Sequence, residues 1–153
     1  MSRFLLVRGE SPMHEFAFEQ LRREAASAGR VVLEHVYNEY AGFTSDVMAL
    51  YFNTVSALIV IVDDTEASKS LAESVAAESF LNKLPVFGLM GYRDSAVKAT
   101  DGVWSKILDG ALHWGYRLRR SLDAMGTYIA MGGLRYTRRG GVPRYEVRID
   151  IRK

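Results

Sequence analysis

Apolar residues in this chain come in short unbroken runs, separated by longer stretches in which apolar and polar positions alternate with helical spacing. Phe4–Val7, Ala57–Val62 and Pro85–Met90 contain no polar side chain. A strand covered on both faces needs such continuous runs, whereas a half-exposed strand alternates. The stretch from Ala57 to Gly91 therefore predicts a complete βαβ unit: a buried strand closing on Asp63 and Asp64, a helix over Thr65–Lys83, and a second buried strand from Pro85. Parallel pairing needs a crossover of about this length. A right-handed crossover puts the turn after Asp64 at the carboxyl edge of the sheet, where open α/β folds bind ligands.

The rest of the chain repeats the alternation. Phe4–Val7 predicts the first strand, and Arg8-Gly-Glu-Ser-Pro12 a loop in which Ser11 caps a helix and Pro12 takes its first position. That helix runs to about Ser27 with Phe18, Leu21 and Ala25 inward, and Gly29 ends it. Arg30–Val36 is the second strand, followed by a loop with Tyr37 and Tyr40. A helix starting at Thr44-Ser45-Asp46 then buries Val47, Leu50 and Tyr51. On the Thr65–Lys83 helix, Leu71, Ala72, Val75, Ala76 and Phe80 form the inward face, with Glu73 and Glu78 at its borders. Downstream, the spacing from Val103 to Leu122 predicts one long helix, capped by Thr100 or Asp101, weakened by Gly110 and Gly115, and carrying both tryptophans. Period-two alternation then predicts strands over Tyr128–Thr137 and Arg144–Arg152, joined by Arg138–Pro143. The expected fold class is α/β: a doubly wound, mainly parallel Rossmann- or flavodoxin-like sheet with a C-terminal β-hairpin. It is one domain over 1–153, with its core in 1–126 and the hairpin in 127–153.

Composition narrows the chemistry. The 153 residues suffice for one core. The absence of cysteine excludes disulfides, thiolate catalysis and cysteine-ligated zinc, and fits an expected cytoplasmic setting. Phe4–Val7 is too short for a signal-peptide core, and no apolar run approaches the roughly 20 residues of a membrane span. The net charge of +2 hides an asymmetry: residues 111–153 carry ten Lys/Arg against three Asp/Glu, net +7, leaving −5 for the first 110. A basic C-terminal third suits a nucleic acid or the acidic part of a second copy, and is more simply explained as a solvated face; a homo-oligomer is an expected partner state.

Several standard constellations are missing: a Walker lysine loop, a Gly-x-Gly-x-x-Gly fingerprint and a Gly-x-Ser-x-Gly elbow. Asp63 and Asp64, adjacent on an extended segment, point to opposite faces and make a poor metal pair. His35 has no second histidine at ligand spacing. No metal or cofactor is expected. What remains is a carboxylate-centred site. Glu73 at the cleft edge, Asp46 at a neighbouring helix start and Ser68 between them could handle a ribose and stabilise a developing oxocarbenium ion. Arg8 and Gly9, before a helix N-terminus, could hold a phosphate or carboxylate. Asp46 is equally explained by its place in the first helical turn, and Gly9 by the turn itself. Tyr40 could stack on a base or cover the sheet edge.

The order of an Arg-Gly loop after the first strand, Gly29-Arg-Val-Val-Leu-Glu-His-Val36, an Asp-led helix, and then strand, Ser, Glu and Phe80-Leu-Asn-Lys83 resembles the nucleoside 2-deoxyribosyltransferase superfamily over roughly residues 3–90. It is most similar to the branch that hydrolyses 2'-deoxynucleoside 5'-monophosphates. The resemblance implies base cleavage or exchange, with Glu73 as the catalytic carboxylate, Asp46 assisting, Ser68 on the phosphate side, and Arg8 and Gly9 in the phosphate loop. Gly9 stands alone where that family has a Gly-rich loop. The alternatives are a non-catalytic nucleotide-sensing or protein-interaction domain on a TIR-like scaffold, and nucleic-acid binding through the basic hairpin.

Overall fold

The computed structural model describes residues 3–37, 43–51, 53–82, 84–90, 104–113, 118–130, 136–139 and 142–145. The elements in chain order are β1 (Arg3–Arg8), α1 (Pro12–Ser27), β2 (Val31–Val36), α2 (Ser45–Tyr51), β3 (Ala57–Ile61), α3 (Glu66–Asn82), β4 (Val86–Met90), α4 (Trp104–Ile107), β5 (Gly110–His113), α5 (Leu118–Ala130), β6 (Tyr136–Arg139) and β7 (Val142–Tyr145). The unbroken apolar runs become the inner strands. Every residue of β3 and β4 is buried, as are Phe4–Val7 of β1.

The five strands β2-β1-β3-β4-β5 pair in parallel, in that order. This is the flavodoxin-like doubly wound arrangement. From β1 the chain steps outward to β2, and from β3 it steps the other way to β4. Right-handed crossovers therefore place α1 and α3 on opposite faces of the sheet. Between β1 and β3 the carboxyl edge opens into a crevice flanked by the starts of both helices. The first helix follows its sequence signals closely: the Ser11 hydroxyl accepts from His14 N–H at 3.2 Å, Pro12 opens the helix, and Gly29 takes a left-handed φ of 74° beyond its end. Among the described residues no helix is long and apolar enough to cross a membrane.

The region after β4 departs from expectation. In place of one long helix, the structure has the single turn α4, then the edge strand β5, then α5. Gly110-Ala-Leu-His113 pairs with Phe87–Met90 of β4, and the buried Asp109 carboxylate accepts from Val86 N–H at 2.9 Å, ending the helical stretch before the strand. Trp104 is buried in α4; Trp114 and the expected caps Thr100 and Asp101 lie outside the described residues. The helix α5 extends to Ala130, over the start of the strand expected from Tyr128, and the hairpin pairs Tyr136–Arg139 with Val142–Tyr145 across Gly140-Gly141. Among the described residues β6 and β7 form their own two-stranded sheet. Two inward assignments also change: Leu50 and Phe80 are exposed, while Met48 supplies the buried position of α2. The hydroxyl of Ser45, the first residue of α2, donates to the buried Glu78 carboxylate of α3 at 3.1 Å.

Gly126 lies beneath Arg30 at the seam of α1 and α5. A Cβ at this position would stand 2.5 Å from Arg30 Nη2, and Arg30 Nη1 bonds Asp123 at 2.7 Å. The guanidinium ends a flexible chain and can move aside, giving up a surface pair worth about 0–1 kcal/mol. Alanine regains about 1 kcal/mol of helix propensity over glycine. Gly126→Ala is therefore expected to stay within about 0.5 kcal/mol of the parent in urea unfolding. A clearly larger loss would mean that Arg30 cannot yield.

Candidate functional site

The crevice at the carboxyl ends of β1 and β3 holds a cavity of about 340 Å³. Met13, Tyr37, Ala67 and Leu71 supply its apolar walls, and Gly9, Ser11, His14, Asp63, Thr65 and Ser68 its polar ones. The polar side is built by two helix starts meeting across the sheet. From the first comes His14, in the first turn of α1; from the second come Asp63, Thr65 and Ser68, in the turn that caps α3.

Asp63 is the hub. Its Oδ1 accepts from Thr65 N–H at 2.9 Å and from the Thr65 hydroxyl at 2.6 Å. Its Oδ2 accepts from the Ser68 hydroxyl at 2.8 Å and faces His14 Nε2 at 3.1 Å. The other ring nitrogen of His14, Nδ1, accepts the Gly9 N–H at 2.9 Å. A nitrogen that accepts carries no proton, so the two bonds together assign the neutral tautomer with hydrogen on Nε2, donated to Asp63. His14 thus ties the loop after β1 to the loop after β3, 49 residues away in the chain. Burial opposes ionisation of Asp63, yet the donors His14, Thr65 and Ser68 together outweigh it and hold the carboxyl well below the usual aspartate range. Thr65 serves both sides of its turn, since its Oγ1 also accepts from Ser68 N–H at 3.2 Å, closing the helix cap.

All four acceptor positions of Asp63 are therefore filled from within the chain. Ser68 donates to Asp63 and keeps its own lone pairs for another donor. Asp64, one residue on, is exposed.

Of the residues expected from the sequence, Gly9 and Ser68 line the cavity. Arg8 does not hold a phosphate position. It is only 7% exposed, its Nε bonds Glu34 Oε2 at 2.7 Å, and its Nη1 donates to Gly9 O at 2.9 Å, so it braces the loop from behind. Glu73 is exposed on α3, five residues past Ser68 and so about 140° round the helix from it. Asp46 is exposed in the first turn of α2. Neither lines the cavity. Tyr40 lies outside the described residues. His35 packs edge-on against Phe43 and Tyr51, and burial pushes its imidazole below the usual histidine value. His14 is not among the residues expected from the sequence; its one signal there is a histidine in the first turn of a helix that opens at a strand's carboxyl end.

No family model matches the chain, and no curated protein does. Among solved structures it is similar to a 3-dehydroquinate dehydratase-like protein from Bifidobacterium longum, at 12% identity and a TM-score of 0.48, over 85% of this chain and 99% of that one. At this distance the likeness carries no statement about activity.

Proposed function

We propose that the protein binds a nucleoside-type small molecule in the cavity between β1 and β3. The observation that supports this reading is the placement of an apolar-walled cavity with one polar wall at the topological switch point of a doubly wound sheet, the usual ligand position of such folds. Its 340 Å³ lies at the small end of ligand pockets, a size suited to a base and a pentose. Met13, Tyr37 and Leu71 offer a surface for the base, and Ser68 an acceptor for a sugar hydroxyl. Calorimetric titration with 2'-deoxynucleosides is expected to show saturable binding, and Ser68→Ala to weaken it about tenfold through loss of one hydrogen bond. Binding that is absent, or unchanged in Ser68→Ala, overturns the reading.

Cleavage or exchange of the base, as in N-glycosidases and deoxyribosyltransferases, is the catalytic form of the same proposal. Asp63 is the ionised carboxylate at the cavity, so it, and not Glu73, is the candidate to steady an oxocarbenium ion. Its filled acceptor positions favour binding without turnover. Chromatography for free base after incubation separates the two forms. If base is released, Glu73→Ala is expected to retain full release and Asp63→Ala to lose it.

The second reading concerns the hairpin. Residues 135–153 carry seven Lys/Arg against two Asp/Glu, and β6–β7 is a two-stranded ribbon, a form that enters the major groove of DNA. Replacing Arg138, Arg139 and Arg144 by alanine is expected to weaken duplex DNA binding and to flatten its salt dependence, by about 0.9 in log–log slope for each phosphate no longer neutralised. A homodimer, with the same arginines on the acidic part of a second copy, is instead indicated by salt-sensitive self-association without DNA binding.

A further inference from the structure

We infer that the cavity selects uncharged ligands and rejects phosphorylated ones, so that a nucleoside binds and its 5'-monophosphate does not. This rests on the nucleoside reading above and goes further, because it names the charge class. Among the described residues that line the cavity there is one formal charge, the carboxylate of Asp63, and no arginine or lysine. Arg8, the residue before Gly9, is already paired: it is buried against Glu34 and the Gly9 carbonyl.

Several backbone donors of the kind that greet a phosphate in other doubly wound proteins are also committed. Gly9 N–H is held by His14 Nδ1. In the first turn of α1, Pro12 has no N–H, the His14 N–H is held by Ser11 Oγ, and the Glu15 N–H by Ser11 O. At the start of α3, Thr65 N–H is held by Asp63, Ser68 N–H by Thr65 Oγ1, and Lys69 N–H by Thr65 O. The chain has placed its own carboxylate where an outside anion would sit. The N–H groups of Ser11, Met13, Glu66 and Ala67 are left over by these bonds, and Ser11, Met13 and Ala67 line the same cavity as the Asp63 carboxylate.

A phosphate entering such a cavity brings about two negative charges near one that is held by four donors and does not move. At roughly 6 Å and an effective dielectric of about 20, the repulsion from a single unit charge corresponds to about a hundredfold in affinity. A neutral ligand meets none of it. The free lone pairs of Ser68 favour a ligand hydroxyl or amine, which can donate.

The test is a charge series built on one 2'-deoxynucleoside, titrated against the full chain: the nucleoside, its neutral 5'-dimethyl phosphate triester, its singly charged 5'-methyl phosphate diester, and its 5'-monophosphate. The expected order is nucleoside and triester alike, the diester weaker, and the monophosphate weaker than the nucleoside by about a hundredfold or more. Asp63→Asn is expected to narrow that gap to about tenfold or less. If this variant does not fold, the parent series stands by itself, because the triester separates size from charge. Exclusion of the triester together with the charged forms would show that size decides, and overturns the inference. So does a monophosphate that binds as tightly as the nucleoside. Binding by none of the four overturns the nucleoside reading first, and this inference with it.

Discussion

Asp63→Ala is expected to lower the stability of the protein by about 3 kcal/mol and to abolish ligand binding in the switch-point cavity, because one carboxylate closes two loops. It accepts four hydrogen bonds, from the Thr65 N–H and hydroxyl, from Ser68 and from His14. Hydrogen bonds to a charged group contribute about 1.5–3 kcal/mol each, but these four share one acceptor group and do not add. Truncation leaves the donors of Ser68 and His14 facing a hole. With them goes the link from the β3–α3 turn to Gly9, since among the described residues His14 bonds nothing else across the crevice. Urea unfolding measures the first effect through a fall in the midpoint at constant slope. A variant within about 0.5 kcal/mol of the parent would show that the cluster is not a structural hub.

The same carboxylate sets a pH dependence. Its folded pKa lies below 3.8, the ordinary aspartate value expected of an unfolded chain. A depressed carboxyl contributes stability that is fully present above the unfolded value and is lost as pH falls from there toward the folded one. The parent is therefore expected to lose stability more steeply than Asp63→Asn when acidified below about pH 4, and the two curves to run parallel above it. Parallel curves throughout would assign the acid sensitivity to other groups.

Much of the fold was legible because local pattern and tertiary role coincide in β1, β3 and β4. These strands are buried on both faces, and their runs are apolar without interruption. The strand β5 was not legible. Four residues, Gly110–His113, sit between segments whose apolar positions recur every three or four residues, and helical spacing continued through them reads as one helix. What decides the matter is a long-range partner, the β4 backbone, which no window around Gly110 contains. The candidate site divides the same way. Position relative to strand ends was readable, and it led to Gly9 and Ser68. Pairing was not, since His14 and Asp63 meet only after the sheet brings β1 beside β3. Glu73 looked like a border residue, but α3 turns it to the solvent face along with Glu66, Ser70 and Ala77, one helical turn apart or nearly so.

Gly88→Ala is expected to cost about 3 kcal/mol. Glycine inside a strand is ordinarily a weakness, and alanine there would regain about 0.5–1 kcal/mol of chain entropy. At Gly88 the added carbon has no room. It would stand 2.6 Å from Leu108 Cδ1 and 2.6 Å from Val62 Cγ2. Gly126 meets the guanidinium end of the half-buried Arg30, which can swing away; Gly88 meets two buried side chains, and Val62 is β-branched and stiff at χ1. Gly88 also pairs on both sides, with Val60 of β3 and Ala111 of β5, so the strand cannot retreat without loosening the sheet. Shortening Leu108 to alanine in the same chain relieves one of the two contacts. The double variant is therefore expected to lose less stability than the sum of the single changes by about 1 kcal/mol or more, measured as a double-mutant cycle in urea. Additive losses would show that Val62 alone bears the clash. Val62 directly precedes Asp63, so pressure on it is carried to the carboxylate that organises the cavity. Gly88→Ala is expected to weaken nucleoside binding as well as the fold, although Gly88 itself does not line the cavity.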